Sequence, residues 1–353
     1  MGTATRALVV IAVGASSAHA DELATSPARP DYEASEKLLM WTARHDLEER
    51  GVTIDGTYAS EVFFAPDLDD QLVLGGLFTA EIDVELDKLV SRKLGRIHVS
   101  AFAIHGKGIT EELMDIHGTS GNTAPKDLRV FEAWLDQPLG PATLRAGLLS
   151  ADQEFVLADQ GQTLLGATFG ITSQFSANLL GPVYPVATPG LTGRYESERI
   201  DVRAGVYDGA QENSHGIPTA VGDSHLAIGE VEYAKAFMVG GWHHSERGNA
   251  LYVVLDTEVV EGLGVFARAG YSTAGFVSTY IDVGIRATPG SWRPEDLISV
   301  GMAFARTETG AETVVEATYE LQVRWLTIQP DVQLMMLPDR NALMFATRLT
   351  VAI

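Results

Sequence analysis

Strict alternation of apolar and polar residues is the feature that most constrains what this chain can fold into. In the clearest run, residues 315–325, Val, Ala, Tyr, Leu, Val and Trp alternate with Glu, Thr, Glu, Gln and Arg. Successive side chains of a β-strand point to opposite faces, so this run predicts a strand with one oily face and one polar face. Its length is that of a tilted strand crossing a bilayer.

A second clear run covers residues 78–87, where Phe, Ala, Ile, Val and Leu alternate with Thr and four carboxylates. Turn-forming Gly, Pro, Asp and Asn lie between these and the weaker runs, and about sixteen strands result, an even number as antiparallel closure requires. The gaps at 107–126 and 151–189 are predicted to be loops or lumen-folded segments. The weaker runs lie near residues 53–65, 94–106, 127–136, 142–150, 190–197, 199–208, 225–235, 237–243, 250–258, 263–271, 278–287, 296–305, 327–337 and 341–353.

The sequence favours an all-β fold, a transmembrane antiparallel β-barrel with a short N-terminal helical segment. A charge facing lipid at mid-bilayer costs about 2–4 kcal/mol, and the oily rows of the two best runs contain none. Aromatic residues, among them Phe78, Tyr280 and Trp325, are expected at the membrane interfaces. The alternative is a secreted β-sandwich or propeller, which would alternate in the same way.

The N-terminal region divides into two segments by composition. Arg6, an apolar run from residue 7 to 15 and the sequence Ala18-His19-Ala20 predict a secretory signal peptide over residues 1–20. Residues 21–50 are predicted to form one or two short helices that plug or brace the barrel, because apolar residues recur every four positions before Gly51. Residues 51–353 are assigned to a single barrel domain.

The composition of the chain argues against several classes of protein function. The chain has no cysteine, and its 47 acidic against 25 basic residues give a net charge of −22, which argues against binding nucleic acid. His243 and His244 are adjacent and would point to opposite faces of a strand, so no metal site is predicted there. No cofactor is expected, and no nucleophile elbow indicates an enzyme.

Several short blocks, taken in order, resemble the carbohydrate-selective porin family, often called OprB-like, across nearly the whole mature chain. The blocks are residues 47–52 leading to Tyr58 and Glu61, Gly75-Gly76 before the acidic strand that ends at 85–89, 132–137, 144–148, 205–209, and a C-terminal block at 319–322 and 325–333. The resemblance implies a sixteen-stranded outer-membrane barrel that admits sugars such as glucose by facilitated diffusion, without cofactor or energy input. Monosaccharides or small oligosaccharides, outer-membrane lipid and lipopolysaccharide, and the barrel-assembly machinery would then be its partners.

A sugar offers hydroxyls that both donate and accept hydrogen bonds, so a selective pore needs Arg donors beside carboxylate acceptors. Alternation assigns Arg145, which lies between Leu144 and Ala146, to the lumen, and other residues follow by the same rule. The candidate pore-lining residues are Arg145, Arg203, Arg268, Arg286, Glu316, Glu320, Gln322, Arg324 and Asp331. Each of them could instead be a wall charge that touches no sugar.

Three other functions stay open at this stage. The acidic balance suits a general diffusion pore with cation preference. An outer-membrane barrel enzyme would need a nucleophile or paired acids beside a His at one rim. A soluble secreted binding protein is the alternative if the barrel itself is absent.

Overall fold

A computed structural model describes residues 41–68, 71–90, 94–179, 181–209, 222–273, 275–290 and 293–353. The predicted signal peptide and most of the predicted N-terminal helical segment lie outside these residues. Among the described residues, no helix combines the length and the apolar character needed to span a bilayer.

Sixteen antiparallel strands pair in sequence order, and β1 pairs with β16, so the sheet closes into a barrel. The prediction of about sixteen strands is therefore confirmed. The strands are β1 (Val52–Phe64), β2 (Leu72–Glu85), β3 (Arg96–Gly106), β4 (Asp127–Leu139), β5 (Ala142–Leu149), β6 (Thr188–Tyr195), β7 (Ile200–Asp208), β8 (His225–Tyr233), β9 (Phe237–His244), β10 (Gly248–Val260), β11 (Leu263–Ser272), β12 (Val277–Ala287), β13 (Leu297–Thr307), β14 (Gly310–Val323), β15 (Leu326–Met336) and β16 (Asn341–Ala352).

The described helices are short, and none of them is part of the barrel wall. They are α1 (Trp41–Glu49), α2 (Leu86–Val90), α3 (Thr110–Leu113), α4 (Ala167–Gly170) and α5 (Ser173–Leu179). Of these, α1 overlaps the predicted N-terminal helical segment. Its Arg44 donates to the carbonyl of Ile353 at 2.9 Å and pairs with Asp55 on β1, so α1 lies against the barrel end where β1 begins and β16 ends.

Alternation sorts the side chains of each strand as predicted. On β14, Glu316, Thr318 and Glu320 are buried toward the lumen, whereas the outward row is apolar and reaches 45% exposure at Val323. On β2 the outward residues Phe78 and Ile82 are exposed, and the carboxylates occupy the inner row. An apolar outer surface of this kind is what a lipid bilayer requires.

Two details of the sequence interpretation are wrong. The outward row of β14 ends at Val323, and Arg324 and Trp325 form the turn to β15, with Arg324 exposed at φ 54°. Tyr280 is not an interfacial residue, because it is completely buried inside the barrel and bonds to Asp282.

The two ends of the barrel differ in their connections. At the end where β1 begins and β16 ends, turns are as short as two residues, for example residues 140–141 and 324–325. At the opposite end the structure describes two long connections, loop A (residues 107–126) and loop B (residues 150–187, with residue 180 outside the described set). Short turns face the periplasm and long loops the exterior in outer-membrane barrels, which assigns the two ends.

Both long loops fold into the lumen and supply a large share of its buried apolar core. Loop A contributes Ile109 and Ile116, and loop B contributes α4 and α5 with Phe155 and Phe169, each at most 3% exposed. Phe169 meets Phe266 of β11 edge to face, with ring centroids 6.2 Å apart. The prediction that the long gaps are loops or lumen-folded segments is confirmed. The part of the lumen that these two loops do not fill stays open.

Candidate functional site in the lumen

Arg268 on β11 fastens loop B to the wall. Its guanidinium pairs with Asp282 on β12 at 2.6 Å, and the Arg268 side chain is 1% exposed. The remaining N–H groups donate to backbone carbonyls of loop B at 2.9–3.1 Å, those of Val156, Thr168, Phe169 and Gly170. The buried Arg268 guanidinium therefore neutralises one carboxylate and donates hydrogen bonds to both ends of the segment 156–170.

Arg203 on β7 and Arg145 on β5 hold the start of loop B. Arg203 on β7 pairs with Glu230 and Glu232 on β8, at 3.2 and 2.5 Å, and donates to the carbonyl of Glu154 at 3.1 Å. Arg145 on β5 pairs with Asp136 at 2.6 Å and with the Glu154 carboxylate at 2.8 Å. Three arginines predicted to line the pore thus meet at residues 154–156 of loop B.

Glu316 on β14 holds the tip of loop B. Its carboxylate accepts the backbone N–H of Leu165 and, at 2.9 Å, that of Gly166. A Cβ on Gly166 would lie 2.5 Å from the Glu316 carboxylate, so the close approach requires glycine. Gln329 on β15 adds a bond from its side-chain amide to the carbonyl of Thr163 at 2.6 Å.

Loop A is bound on the other side of the lumen, at the seam between β1 and β16. Glu61 on β1 accepts hydrogen bonds from the side chains of Ser120 and Asn122 at 2.8 and 3.0 Å, and it pairs with Arg348 on β16 at 2.6 Å. The side-chain amide of Gln333 on β15 donates to the carbonyl of Thr119 at 2.8 Å. Arg348 also donates to the Ser120 hydroxyl at 3.2 Å, so loop A is tied here to β1, β15 and β16.

Two buried titratable groups of loop A lie beside Glu312 on β14. Burial, with the nearby Glu312 carboxylate, raises the pKa of Asp115 to about 7, although the N–H of Gly118 donates to Asp115 at 2.5 Å. Burial also lowers the pKa of His117 to about 4, against the opposing effect of its bond to the Glu312 carbonyl at 3.2 Å. Both groups are uncharged in the folded loop between these two values.

The shifts of Asp115 and His117 oppose each other as the pH changes. Asp115 binds its proton more tightly in the folded loop, so its contribution to stability falls as the pH rises from about 4 to 7. His117 binds its proton more weakly, so its contribution is present above about pH 6.5 and is lost as the pH falls toward 4. Over this shared range the two contributions largely cancel.

Single substitutions should therefore expose opposite pH dependences in loop A. We expect Asp115→Asn to weaken loop A as the pH falls from 6.5 to 4, and His117→Gln to weaken it as the pH rises from 4 to 7, each by on the order of 3 kcal/mol. Protection factors of the amides of residues 110–120, measured against pH, check this. Identical profiles for the two variants would contradict it.

Trp134 on β4 lies in the lumen wall but offers no free ring face to a sugar. The ring of His98 stacks on one side with centroids 4.6 Å apart, and the Arg145 guanidinium lies 3.7 Å from the ring centroid. Trp134 is 3% exposed, and other inward-facing aromatic residues are equally covered. They include Phe63, Phe102, Tyr207, Trp242, Tyr252, Phe266 and Tyr280, whereas Phe131 of β4, which packs against Phe102 and Tyr184, is partly exposed. Polar groups therefore dominate the accessible wall.

The remaining candidate residues occupy different levels of the barrel. Arg286 on β12 donates to the carbonyl of Asp159 in loop B at 3.3 Å, and Asp331 on β15 is buried on the inner row. Glu320 is buried on the inner row of β14, and the Gln322 side chain accepts a bond from Thr327 and donates to the Arg324 carbonyl. Arg324 lies in the periplasmic turn, away from the lumen wall.

Sequence reasoning missed the loop anchors and part of the wall. Glu61, Arg348 and Arg129 are inward-facing charges, and the alternation of their strands could have identified them. Arg129 pairs with Asp127 and donates to the carbonyl of Pro185 at 3.0 Å, where loop B returns to the barrel. The partners within the loops have no periodic signal.

Partly exposed inner residues mark the part of the lumen that the loops leave open. On the inner wall of β1 and β2 they include Thr57, Thr79 and Asp83. Thr123 of loop A and Glu154 of loop B are also partly exposed. By contrast, Ser299 on β13 is fully buried beneath loop B and lies 2.5 Å from the Thr163 hydroxyl.

A closed sixteen-stranded barrel with an apolar exterior, a charged lumen and loops folded inside it defines the class of outer-membrane porins. The sequence profile of the carbohydrate-selective porin, OprB family, matches residues 72–253 and 239–352. The chain belongs to that family, whose members are channels and not enzymes. It is therefore an outer-membrane porin for the passive diffusion of sugars, as the resemblance implied.

Solved structures agree with this fold. The high-pH structure of Pseudomonas putida OprB superposes with a TM-score of 0.79 at 15% identity, covering 88% of this chain and 96% of that one. The low-pH structure of the same protein gives 0.62 at 15% identity, covering 90% and 98%. A mutant of the Rhodopseudomonas blastica porin gives 0.57 at 9% identity, covering 86% and 100%. No curated protein matches the chain.

Proposed function

We propose that glucose-like monosaccharides cross the lumen between loop A and loop B, along the inner wall from β1 to β7. The observation that carries this route is the contrast in exposure between the two sides of the lumen. Thr57 and Thr79 on β1 and β2 are partly exposed, whereas Ser299 on β13 is covered by loop B.

The chemistry along this wall suits a sugar. The Arg145 guanidinium, the Asp136 carboxylate and the Glu154 carboxylate form one network, and Arg96 lies 3.6 Å from Asp136. Arginine supplies several donors in a fixed plane and carboxylates supply acceptors, which matches the paired hydroxyls of a hexose. With most lumen aromatic rings covered, recognition rests mainly on these polar groups.

Of the candidate residues, Arg145 and Arg203 are proposed to contact the sugar, because their side chains keep 11% and 16% exposure beside loop B. Arg268, Glu316 and Asp331 are proposed to act through the loops, since each is buried. Arg286, Glu320 and Gln322 are proposed to line the periplasmic part of the pore. Arg324 has no proposed part in selection.

Export and placement belong to the same proposal. We propose that residues 1–20 act as the signal peptide, that the segment 21–50 acts through its described part, α1, as a brace at the periplasmic end, and that residues 51–353 are the barrel domain. The contacts of Arg44 in α1 with Asp55 and Ile353 support the bracing role. The barrel-assembly machinery and lipopolysaccharide are the expected partners in the outer membrane.

Liposome swelling with the purified protein tests sugar selection. We expect glucose to enter severalfold faster than a non-sugar solute of the same size, because the Arg and carboxylate network can replace the hydration of sugar hydroxyls. Empty liposomes give the background rate. Equal rates for glucose and the matched solute would overturn the selectivity and leave a general diffusion pore.

A further inference from the structure

The inner rows of the barrel are strongly unbalanced in charge. Their basic residues are Arg96, Arg129, Arg145, Arg194, Arg203, Arg268, Arg286 and Arg348. Their acidic residues are Asp55, Glu61, Glu81, Asp83, Glu85, Asp127, Glu132, Asp136, Asp201, Glu230, Glu232, Asp256, Glu258, Asp282, Glu312, Glu316, Glu320 and Asp331. Acidic groups outnumber basic groups in the lumen, as they do in the whole chain with its net charge of −22.

Seven of these eight arginines pair with neighbouring carboxylates. Arg348 pairs with Glu61 at 2.6 Å, and Arg268 pairs with Asp282 at the same distance. Further carboxylates lie against Arg96, Arg129, Arg145, Arg194 and Arg203. An anionic solute would have to compete with these carboxylates for each guanidinium.

Carboxylates also line the partly exposed wall at the periplasmic end of the lumen. Glu81, Asp83 and Glu85 follow one another on the inner row of β2, and Asp55 lies opposite Glu81 in the register of β1. Field lines concentrate in a narrow aqueous passage with low-dielectric walls, so carboxylates there act on every passing charge. A neutral solute experiences no such force.

We propose that this porin selects sugars by charge, admitting neutral and amino sugars and holding back sugar acids and sugar phosphates. The inference rests on the proposed sugar route and adds the class of sugar that the route accepts. The partly exposed carboxylates of β1 and β2 repel an anionic sugar at the periplasmic end of its path, and the paired arginines give it no receptor. A protonated amino sugar is attracted by the same carboxylates.

Uptake of three hexoses of similar size into proteoliposomes tests the proposal. We expect glucose and glucosamine to enter about tenfold faster than glucuronate at low ionic strength, with a smaller difference at 1 M salt, where charges are screened over about 3 Å. If glucose itself does not enter, the sugar route fails. If glucose enters and glucuronate keeps pace with it, the route stands and charge selection is overturned.

A matched pair of variants locates the effect in the lumen. Glu81→Gln combined with Glu85→Gln removes two charges from the inner row of β2 and should raise the ratio of glucuronate to glucose uptake about threefold. Glu261→Gln combined with Glu308→Gln removes two charges from exposed turns and should leave that ratio unchanged. An equal rise in both variants would overturn the role of the lumen carboxylates.

Discussion

Replacing Arg268 by methionine should release loop B and produce a pore with higher conductance and weaker sugar selectivity. The substitution leaves the buried Asp282 carboxylate without its cation and removes the donor to four loop carbonyls. Breaking a buried ion pair costs about 3–5 kcal/mol, and each unsatisfied buried carbonyl about 1 kcal/mol more. Single-channel recording with glucose titration measures the outcome.

A second variant keeps this prediction testable if Arg268→Met does not assemble. Arg268→Met combined with Asp282→Leu removes the stranded charge, which should restore barrel stability, but it supplies no donor to loop B. Its conductance should therefore stay high. Arg324→Met is the matched control, because Arg324 is exposed in a periplasmic turn. If the double variant kept the wild-type conductance and the wild-type hydrogen-exchange protection of loop B, the anchoring role of Arg268 would be contradicted.

Replacing Glu316 by glutamine should free the tip of loop B while leaving the rest of the loop attached. The carboxylate accepts two backbone N–H groups, and glutamine offers one acceptor and places an amide donor against the other. Hydrogen bonds to a charged group contribute about 1.5–3 kcal/mol each. Hydrogen exchange at Leu165 and Gly166 should accelerate at least tenfold, and glucose block of the ion current should weaken.

The conductance gains caused by replacing Glu316 and by replacing Arg268 should not be additive. Both residues hold segment 156–170, so once either is removed the other holds a loop that is already partly free. The double variant should therefore show less conductance gain than the sum of the single variants. Glu308→Gln, a substitution in an exposed turn, serves as the control. Unchanged exchange at Leu165 and Gly166 in the Glu316 variant would rule out this contact as an anchor.

The barrel wall was predictable because its signal is local. Alternation along β2 and β14 comes from the geometry of a single strand, and it correctly placed Glu316, Glu320 and Asp331 on the inner face. It failed at Arg324 because the two-residue turn continues the alternation, and neither Arg324 nor Trp325 is a typical turn residue. The alternation of side chains between the two faces of a strand does not show where the strand ends.

The sequence pattern around Tyr280 indicated an inward-facing side chain, although the sequence interpretation placed it at a membrane interface. It shares its parity on β12 with Asp282 and Arg286, which places it inside the barrel. Its hydroxyl group bonds to Asp282 at 2.8 Å and to Thr168 at 2.9 Å, so a large aromatic residue is accommodated in a polar lumen. The amphipathic character that suits tyrosine to a membrane interface suits this position equally.

The arrangement of the two loops could not be predicted from the chain. Arg268 contacts Thr168 across 100 positions, and Gln333 contacts Thr119 across 214. Contacts at such separations leave no periodic pattern, and the loop sides of these bonds are backbone carbonyls that any residue would provide. The predicted arginines were therefore found, but their function as loop anchors required the fold.

Thiol accessibility tests the proposed route most directly, because the natural chain contains no cysteine. Single cysteines would be placed at Thr79 on the open inner wall, at Ser299 beneath loop B, and at Thr347 on the outer face of β16. We expect a charged, water-soluble thiol reagent to modify Thr79→Cys and reduce both ion current and glucose uptake, with glucose slowing the reaction. Ser299→Cys and Thr347→Cys should keep their currents. Loss of current at Ser299→Cys, with none at Thr79→Cys, would contradict the route.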